Sequence, residues 1–478
     1  MSQSKLYQRR TKIVCTLGPA SQNAATIDKL IRAGMDIARI NLSHGTQDQH
    51  TKNINTVRKV AKRLKRNVAI LMDLPGPKFR LGILEGGKVT LKKGSIVRLS
   101  QTQPLGNQEL LPVKLPYPIT DLKTGTKILL ADGALELKAS KKDGDDVLCQ
   151  IIRGGSIRSG AGFVAFGMSA TGAFIDDNIK NNINFSLKQQ PDFLALSYIS
   201  IAAEITSVRA LLGVDHADIP LIIKIERAQA IKNLDSILKQ SDGIMVARGD
   251  LGVEIPLEMV PLAQKDMISK CNLLGIPVIT ATEMLESMIH ASRPTRAETT
   301  DVANAIFDGT DATMLSAETA IGSHPVQAVK MMAKIAVQTE KKLPYQKMLT
   351  ERGSWPKKET SELISYNACY TAHTLNAKAI VAYTQSGSTA GRVSKYRPKM
   401  PILALTPSES ALRRLMIYWG VQTIKTDGMS GVDQLFSLGQ KTTKELGLAK
   451  KGDRIVITGG IPIGEVGSTN LLKVEKID

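Results

Sequence analysis

The 478-residue sequence predicts an α/β protein: a TIM (β/α)8 barrel carrying an inserted small all-β domain, followed by a C-terminal α/β domain. Three observations predict it. Eight short apolar runs, rich in β-branched residues, recur between residues 12 and 318, mostly separated by segments long enough for a helix. Runs of that kind read as strands buried on both faces, as in a parallel sheet. Between the third and fourth runs the pattern changes, over residues 75–160, to short alternating segments with Gly-Gly and Asp-Gly turns, which is the signature of antiparallel hairpins. Beyond a polar, proline-bearing stretch, the strand–helix alternation resumes to the C-terminus. A doubly wound sheet is the alternative for the first segment. Eight units on a core of about 250 residues favour the barrel.

In chain order the barrel strands are KIVCTLG (12–18), IARINLS (37–43), VAILMDL (68–74), FLALSYI (193–199), LIIKIE (221–226), GIMVARG (243–249), PVITATE (277–283) and ATMLSAE (312–318). The barrel therefore occupies residues 1–74 and 161–345, interrupted by the insert at 75–160. Runs such as KVTLKKG, SIVRLS and ALELKAS make up that insert, which rises from a loop at the active-site end and reads as a lid that excludes water. KKLPYQKMLTERGSWPKKET is a polar linker into the C-terminal domain, residues 346–478. Its strands are AIVAYT (379–384), PILALT (401–406), VQTIKT (421–426) and RIVITG (454–459), with LLKVEKI (471–477) as an edge strand.

Composition narrows the function. Hydrophobic content of 42% and charged content of 22% are ordinary for a globular chain. No apolar run approaches the roughly 20 residues of a membrane span, and the N-terminus lacks the apolar stretch of a signal peptide. The expected setting is cytoplasmic, with no membrane partner. Cys15, Cys149, Cys271 and Cys369 are too far apart for a metal or redox motif. A formal net charge of +19 raises the question of nucleic acid. The densest basic segment, RKVAKRLKR (58–66), keeps Val60 and Leu64 at helical spacing, as a solvated outer helix does. With 4% aromatic residues there is also little surface for base stacking. The basicity suits anionic small molecules, and no nucleic-acid partner is expected.

The barrel strands share a second property: their far ends are polar. They carry Arg39, Asn41 and Ser43; Asp73; Ser197; Lys224 and Glu226; Asp250; Thr280 and Thr282; and Ser316 and Glu318. A single such residue would be a helix cap. A ring of them with both signs of charge, at the end where barrel enzymes place their active sites, points to function. Residues 221–250 are the centre of it. Lys224 and Glu226 are two apart and point to one side of a strand, and Asp250 closes the next run. A lysine between two carboxylates fits a divalent cation with an anionic substrate, and equally a structural ion pair; the ring favours the former. In the C-terminal domain, Thr384-Gln-Ser-Gly-Ser-Thr389 runs from a strand into a helix and reads as a phosphate nest, over which the loop at 458–470 can close.

ARINLSHG (38–45), MDLPGPK (72–78), KIER (224–227), VARGDLGVE (246–254), ITATEMLESM (279–288), PTRAETTDVANAIFDGTDATMLSAETA (294–320) and the 384–389 loop stand in collinear order and together resemble the pyruvate kinase family. The resemblance spans nearly the whole chain. It implies the same three-part fold, usually as a homotetramer, and a glycolytic phosphotransferase that moves the phosphoryl group of phosphoenolpyruvate to ADP, giving pyruvate and ATP. Glu226 and Asp250 then look like the Mg2+ ligands. Lys224 looks like the cation that meets charge on the moving phosphoryl and the enolate oxygen. Residues 247–250 open a helix whose N–H groups, at Gly249 and Asp250, receive the substrate carboxylate. Thr282 bonds the same carboxylate or lies on the proton route. Arg39 grips the transferred phosphate, while Asn41, His44 and Arg80 meet the ADP phosphates. Lys224, Arg39 and Thr282 form the catalytic set. Thr384, Ser386, Gly387, Ser388 and Thr389 form the loop for a phosphorylated effector.

Departures from the family pattern carry expectations of their own. Members that need K+ have an acidic residue where this chain has Lys78 and threonine where it has Leu74. Asn41, Ser43 and Asp73, the other contributors to that pocket, are present. A lysine ammonium can substitute for the cation, so activity without K+ is expected. Ala161 stands where a lysine often faces the nucleotide, and Glu283 replaces the common glutamine. Ile461 stands where fructose-bisphosphate-responsive members place a basic residue, which favours a sugar monophosphate or nucleotide effector. Two rival classes share these residues. A Mg2+-dependent barrel lyase or aldolase would need neither insert nor Arg80. A non-catalytic binding protein would have no use for the intact Lys224, Glu226, Asp250 and Thr282.

Overall fold

The eight apolar runs close on themselves. In the computed structural model, which describes residues 9–76, 79–115, 118–131, 133–166, 174–355, 359–429, 431–463 and 467–478, a closed parallel barrel runs in the order Lys12–Thr16, Ala312–Leu315, Val278–Ala281, Gly243–Ala247, Leu221–Ile225, Phe193–Leu196, Ala69–Leu74 and Ile37–Asn41. Alternate residues point inward and fill it: Val14, Ile37, Leu71, Phe193, Ile222, Met245, Ile279 and Met314 form one buried cluster. The residues between them, such as Ile13, Ile70, Leu194 and Ile223, face the helices in a second and larger cluster. This division follows from the period of two along a strand.

At the base of the barrel a single device repeats. Asp36, Asp192, Asp242 and Asp311 each immediately precede a barrel strand. Each accepts an N–H from the first or second residue of the neighbouring strand: Ile13 at 2.8 Å, Ile70 at 2.8 Å, Leu221 at 2.9 Å and Val278 at 3.1 Å. Each is also paired with an arginine, respectively Arg9 at 2.8 Å, Arg413 at 2.7 Å, Arg209 at 2.5 Å and Arg397 at 2.7 Å. Strand-end amides that would be orphaned inside the barrel floor thereby find charged acceptors. Arg397 and Arg413 come from the C-terminal domain, which also presses Ile417 into the barrel's inner cluster.

The insert forms a seven-stranded sheet in the order Phe163–Ala165, Lys127–Leu130, Leu135–Asp143, Asp146–Arg153, Ile96–Ser100, Leu110–Lys114 and Arg80–Leu81. It has its own core around Leu99, Leu111, Ile128 and Leu137, and its last strand runs past residue 160 to Ala165. The C-terminal sheet is ordered Val421–Lys425, Ile402–Thr406, Ile380–Tyr383, Arg454–Gly460 and Thr469–Lys476, the last pair antiparallel. The linker is more structured than its polarity suggests. It contains a helix, Tyr345–Gly353, that buries Leu349 and Arg352 against the C-terminal domain. Arg352 donates to the Lys395 carbonyl and lies 5.0 Å over the Trp355 ring, so its charge is hidden by docking and by an aromatic face. The basic segment forms the end of the outer helix Gln47–Leu64 as far as Leu64, with Val57, Val60 and Ala61 buried and Lys65 as the left-handed cap. All four cysteines are buried and unpaired.

Candidate active site

The C-terminal ends of the strands bring a lysine, an arginine and acidic groups into one network. Lys224 points inward and is only 8% exposed. Its Nζ lies 2.9 Å from Glu226 Oε1 and 3.4 Å from Asp73 Oδ1, and donates to Ser197 Oγ at 2.8 Å. Asp73, from Ala69–Leu74, also accepts from Arg39 Nε at 2.7 Å and from Ser197 Oγ at 3.2 Å. Arg39 in turn donates to Thr16 Oγ1 at 2.9 Å. Four strands thus hold Arg39 and Lys224 on either side of one carboxylate.

Glu226 and Asp250 are tied together through Tyr198. The Tyr198 N–H donates to Glu226 Oε2 at 2.6 Å, and its hydroxyl donates to Asp250 Oδ1 at 3.0 Å. Tyr198 sits in the left-handed region at φ 60, a conformation that costs a non-glycine residue on the order of 1 kcal/mol or more and marks functional loops. Burial pushes the phenol well above its usual range, and the adjacent carboxylates add to this. The hydroxyl therefore remains a donor.

Electrostatics divides the carboxylates. Burial would raise Asp73, but Lys224 and Arg39 outweigh it and hold the acid below its ordinary range. Burial would lower Lys224, but Asp73 and Glu226 outweigh it and keep the ammonium charged. Glu226 goes the other way: burial, reinforced by Asp250, pushes it up to about 7 despite Lys224. A carboxylate held that high beside other acids marks a place short of positive charge. Among the described residues no three or more His, Cys, Asp or Glu side chains form a ready-made metal cage. Two hard oxygen donors bridged by Tyr198 are instead what Mg2+ can share with substrate and water, and the donor set fits that ion.

Residues 248–254 form a short helix, Arg248–Glu254. Its Gly249 N–H donates to Thr282 Oγ1 at 2.7 Å, and Thr282 donates in turn to the Ala281 carbonyl at 2.6 Å. Thr282 and Glu283 have φ of 66 and 54, rare for a β-branched residue. Arg248 stabilises this turn by donating to the Thr282 carbonyl at 2.7 Å while pairing with Asp301 at 2.6 Å. A cleft of about 500 Å3 separates that helix and Glu283 from Lys127, Arg153 and Phe166 of the insert.

Other expected residues lie elsewhere. Arg80 is on the first strand of the insert, exposed, with its guanidinium on the Gly160 carbonyl at 3.0 Å. Asn41 turns back to accept from Ser43 N at 3.1 Å, and Ser43 and His44 are exposed. The His44 N–H donates to the Asn41 carbonyl at 3.5 Å, while the side-chain bond of Arg80 goes to the insert. In the expected monovalent pocket, Asp73 is engaged by Arg39 and Lys224, and Leu74 offers its carbonyl to Ser197 at 2.8 Å. Lys78 lies outside the described residues.

Two members of the sequence-predicted ring do not belong to it. Thr280 is on the outward face of its strand and donates to Thr310 Oγ1 at 2.9 Å, because Ile279 and Ala281 take the inward positions. Glu318 is buried and accepts from Leu285 N at 3.1 Å and Ser316 N at 2.7 Å. It organises two loops, one bond to each oxygen. Sequence reasoning missed Tyr198, Thr16 and Arg227, whose guanidinium lies 5.4 Å from the Phe79 ring and 5.3 Å from the Tyr198 ring. Arg227 follows Glu226 directly, and a charge next to a strand-end charge was the signal for it. In the C-terminal domain Thr384, Ser386, Ser388 and Thr389 line a pocket with Gly460, Gly467 and Ser468. There Gly387, at φ 100, donates its N–H to Thr384 Oγ1 at 2.9 Å.

Comparison with known proteins agrees along the whole length. The model of the pyruvate kinase barrel domain matches residues 8–329, and that of the pyruvate kinase alpha/beta domain matches residues 362–475. A pyruvate kinase of Geobacillus stearothermophilus is 45% identical over 473 residues, covering 98% of this chain and 81% of that one. One of Staphylococcus aureus is 44% identical over 471 residues, covering 98% of this chain and 80% of its own. The solved structure of a pyruvate kinase from Cryptosporidium parvum superimposes with a TM-score of 0.95 at 37% identity, covering 100% of this chain and 98% of that one.

Proposed function

The chain belongs to the pyruvate kinase family, a glycolytic phosphotransferase family that moves the phosphoryl group of phosphoenolpyruvate to ADP, and we propose how its residues carry that reaction. The observation that carries the reading is Lys224, flanked by Asp73 at 3.4 Å and Glu226 at 2.9 Å in the barrel mouth. Glu226 and Asp250 hold Mg2+, which supplies charge neutralisation for the phosphoryl and enolate oxygens.

The substrate carboxylate takes the Gly249 N–H from Thr282 and gains the Thr282 hydroxyl as a second donor. Arg39 and Lys224 meet the phosphoryl oxygens from the opposite side. An oxygen of the ADP β-phosphate attacks phosphorus, and the bond from phosphorus to the enol oxygen breaks. Its electron pair passes to that oxygen, where Lys224 stabilises the enolate. The enolate carbon then takes a proton along the Thr282 side and pyruvate is formed. Arg80, Asn41 and His44 grip the ADP phosphates once the insert closes, which agrees with the exposure of Arg80 and His44. Closure also excludes water that would otherwise hydrolyse the donor.

The chain works without K+, because Asp73 is neutralised by Arg39 and Lys224, Leu74 offers no side-chain oxygen, and Lys78 supplies the remaining charge. The loop of Thr384, Ser386, Gly387, Ser388 and Thr389 binds a phosphorylated effector. As in the family generally, the working form is a cytoplasmic homotetramer. A coupled pyruvate assay tests the core of this: full turnover with Mg2+ in K+-free buffer is expected, none after chelation. A K+ requirement would refute the monovalent part, and metal-independent turnover would refute the rest.

A further inference from the structure

A cleft of about 650 Å3 lies between the base of the barrel and the C-terminal domain, on the far side of the molecule from the catalytic mouth. Phe193, Leu274 and Ile417 give it an apolar wall, while Ser386, Ser388 and Arg392 give it a polar one. Three of its four acids are already paired: Asp242 with Arg209 at 2.5 Å, Asp218 with Arg414 at 2.9 Å, and Glu362 with Lys395 at 3.0 Å, while the exposed Glu359 accepts from Ser361 at 3.3 Å. Two of its arginine nitrogens are not, although Arg414 keeps its ion pair with Asp218. Arg392 Nη1 and Arg414 Nε are both buried without a hydrogen-bond acceptor. Buried unpaired donors are rare because each forfeits its hydration, and two lining one cleft call for an acceptor from outside the chain.

We propose that this cleft is a second anion site, for a phosphomonoester that carries an apolar or aromatic ring. The phosphate takes the guanidinium edge of Arg392 with the hydroxyls of Ser386 or Ser388, whose tetrahedrally spread donors suit phosphate better than a planar carboxylate. The ring lies against Phe193, Leu274 and Ile417. The site is separate from the loop pocket closed by Gly460 and Ser468, yet Ser386 and Ser388 line both. Each hydroxyl can serve one phosphate at a time, so the two sites bind with negative coupling.

Calorimetric titration of the full-length protein with AMP tests this, with adenosine and inorganic phosphate as controls. Wild type is expected to show two sites for AMP, and none for adenosine. Arg392→Ala removes one site, weakening it about tenfold or more, and leaves Mg2+-dependent turnover without effector unchanged. Arg392→Lys restores part of the affinity. Thr384→Ala removes the other site and tightens the one that remains. A single AMP site that survives Arg392→Ala overturns the proposal, as does adenosine binding as tightly as AMP. Inorganic phosphate matching AMP at the Arg392 site overturns the role given to the ring.

Discussion

Replacing Lys224 by methionine removes the charge while keeping the bulk of the side chain. At an effective dielectric of about 20, the ammonium attracts Glu226 at 2.9 Å by about 6 kcal/mol and Asp73 at 3.4 Å by about 5 kcal/mol before desolvation is counted. An enolate oxygen or a phosphoryl oxygen at similar range would gain comparably. One preorganised donor toward developing negative charge is worth roughly 3–4 kcal/mol, and a full charge serving both oxygens is worth more. The expected fall in kcat is therefore about 10^3-fold or greater. Steady-state kinetics at saturating Mg2+ measure it, with circular dichroism to confirm folding. A second pH separates two causes. Loss of Lys224 also pushes Glu226 above about 7, so at pH 7 the variant holds that acid protonated. If raising the pH to about 8.5 returned kcat to within tenfold of wild type, the defect would lie in the metal ligand. The electrostatic role of Lys224 would then be wrong.

The same upward shift makes the proposed metal binding pH-dependent. Glu226 is protonated in the empty site below about pH 7, so Mg2+ must displace a proton there, and affinity should fall about tenfold for each further unit of acid. Calorimetry in two buffers of different ionisation heat reads the released proton, and a flat affinity from pH 6 to 8 would refute the placement. For stability the sign is opposite to that of a salt-bridged acid. With its folded value raised above the ordinary 4.5, Glu226 favours the fold most below pH 4.5 and loses that contribution as pH rises through about 7. Tyr198→Phe should leave the fold intact while taking one donor from Asp250, since it removes only the 3.0 Å hydroxyl bond; metal affinity changes by a few-fold, and an unchanged value would mean that Tyr198 is merely packed there. Arg397→Ala strips Asp311 of its 2.7 Å partner in a site only 3% exposed. A loss of about 3–5 kcal/mol is expected by denaturant titration, and a loss below 1 kcal/mol would show that water reaches the gap.

Much of this was legible in the sequence because parallel barrel strands are buried on both faces and so appear as unbroken apolar runs. All eight runs named from residues 12 to 318 are the barrel strands. Lys224, Glu226 and Asp73 were legible for the complementary reason that charge at the end of such a run must find a partner. Thr280 was misassigned by counting strand ends without applying the alternation that turns it outward between Ile279 and Ala281. Tyr198 was not legible. Its importance comes from a left-handed backbone and two contacts reaching Glu226 and Asp250, 28 and 52 residues away. The base aspartates were legible in pattern and went unread: Met-Asp, Pro-Asp, Ser-Asp and Thr-Asp each stand before a strand.

The two ends of the barrel resolve buried charge in opposite ways, and the difference separates the working end from the scaffold. At the base, four aspartates each receive a strand N–H and an arginine, so the charges balance within the chain and the strands are fixed. At the mouth, Arg39 and Lys224 satisfy Asp73 but leave Glu226 near neutrality in acidity, with Asp250 beside it. That deficit suits the proposed role of Glu226 and Asp250 as ligands of a cation. The balance at the base also has a reach beyond scaffolding. Asp192 is held by Arg413 of the C-terminal domain, and the strand that follows it, Phe193–Leu196, ends at Ser197, which accepts from Lys224. A five-residue stave thus joins an ion pair of the C-terminal domain to Lys224. A ligand that shifts that domain has a short, stiff and fully buried element through which to reach the site.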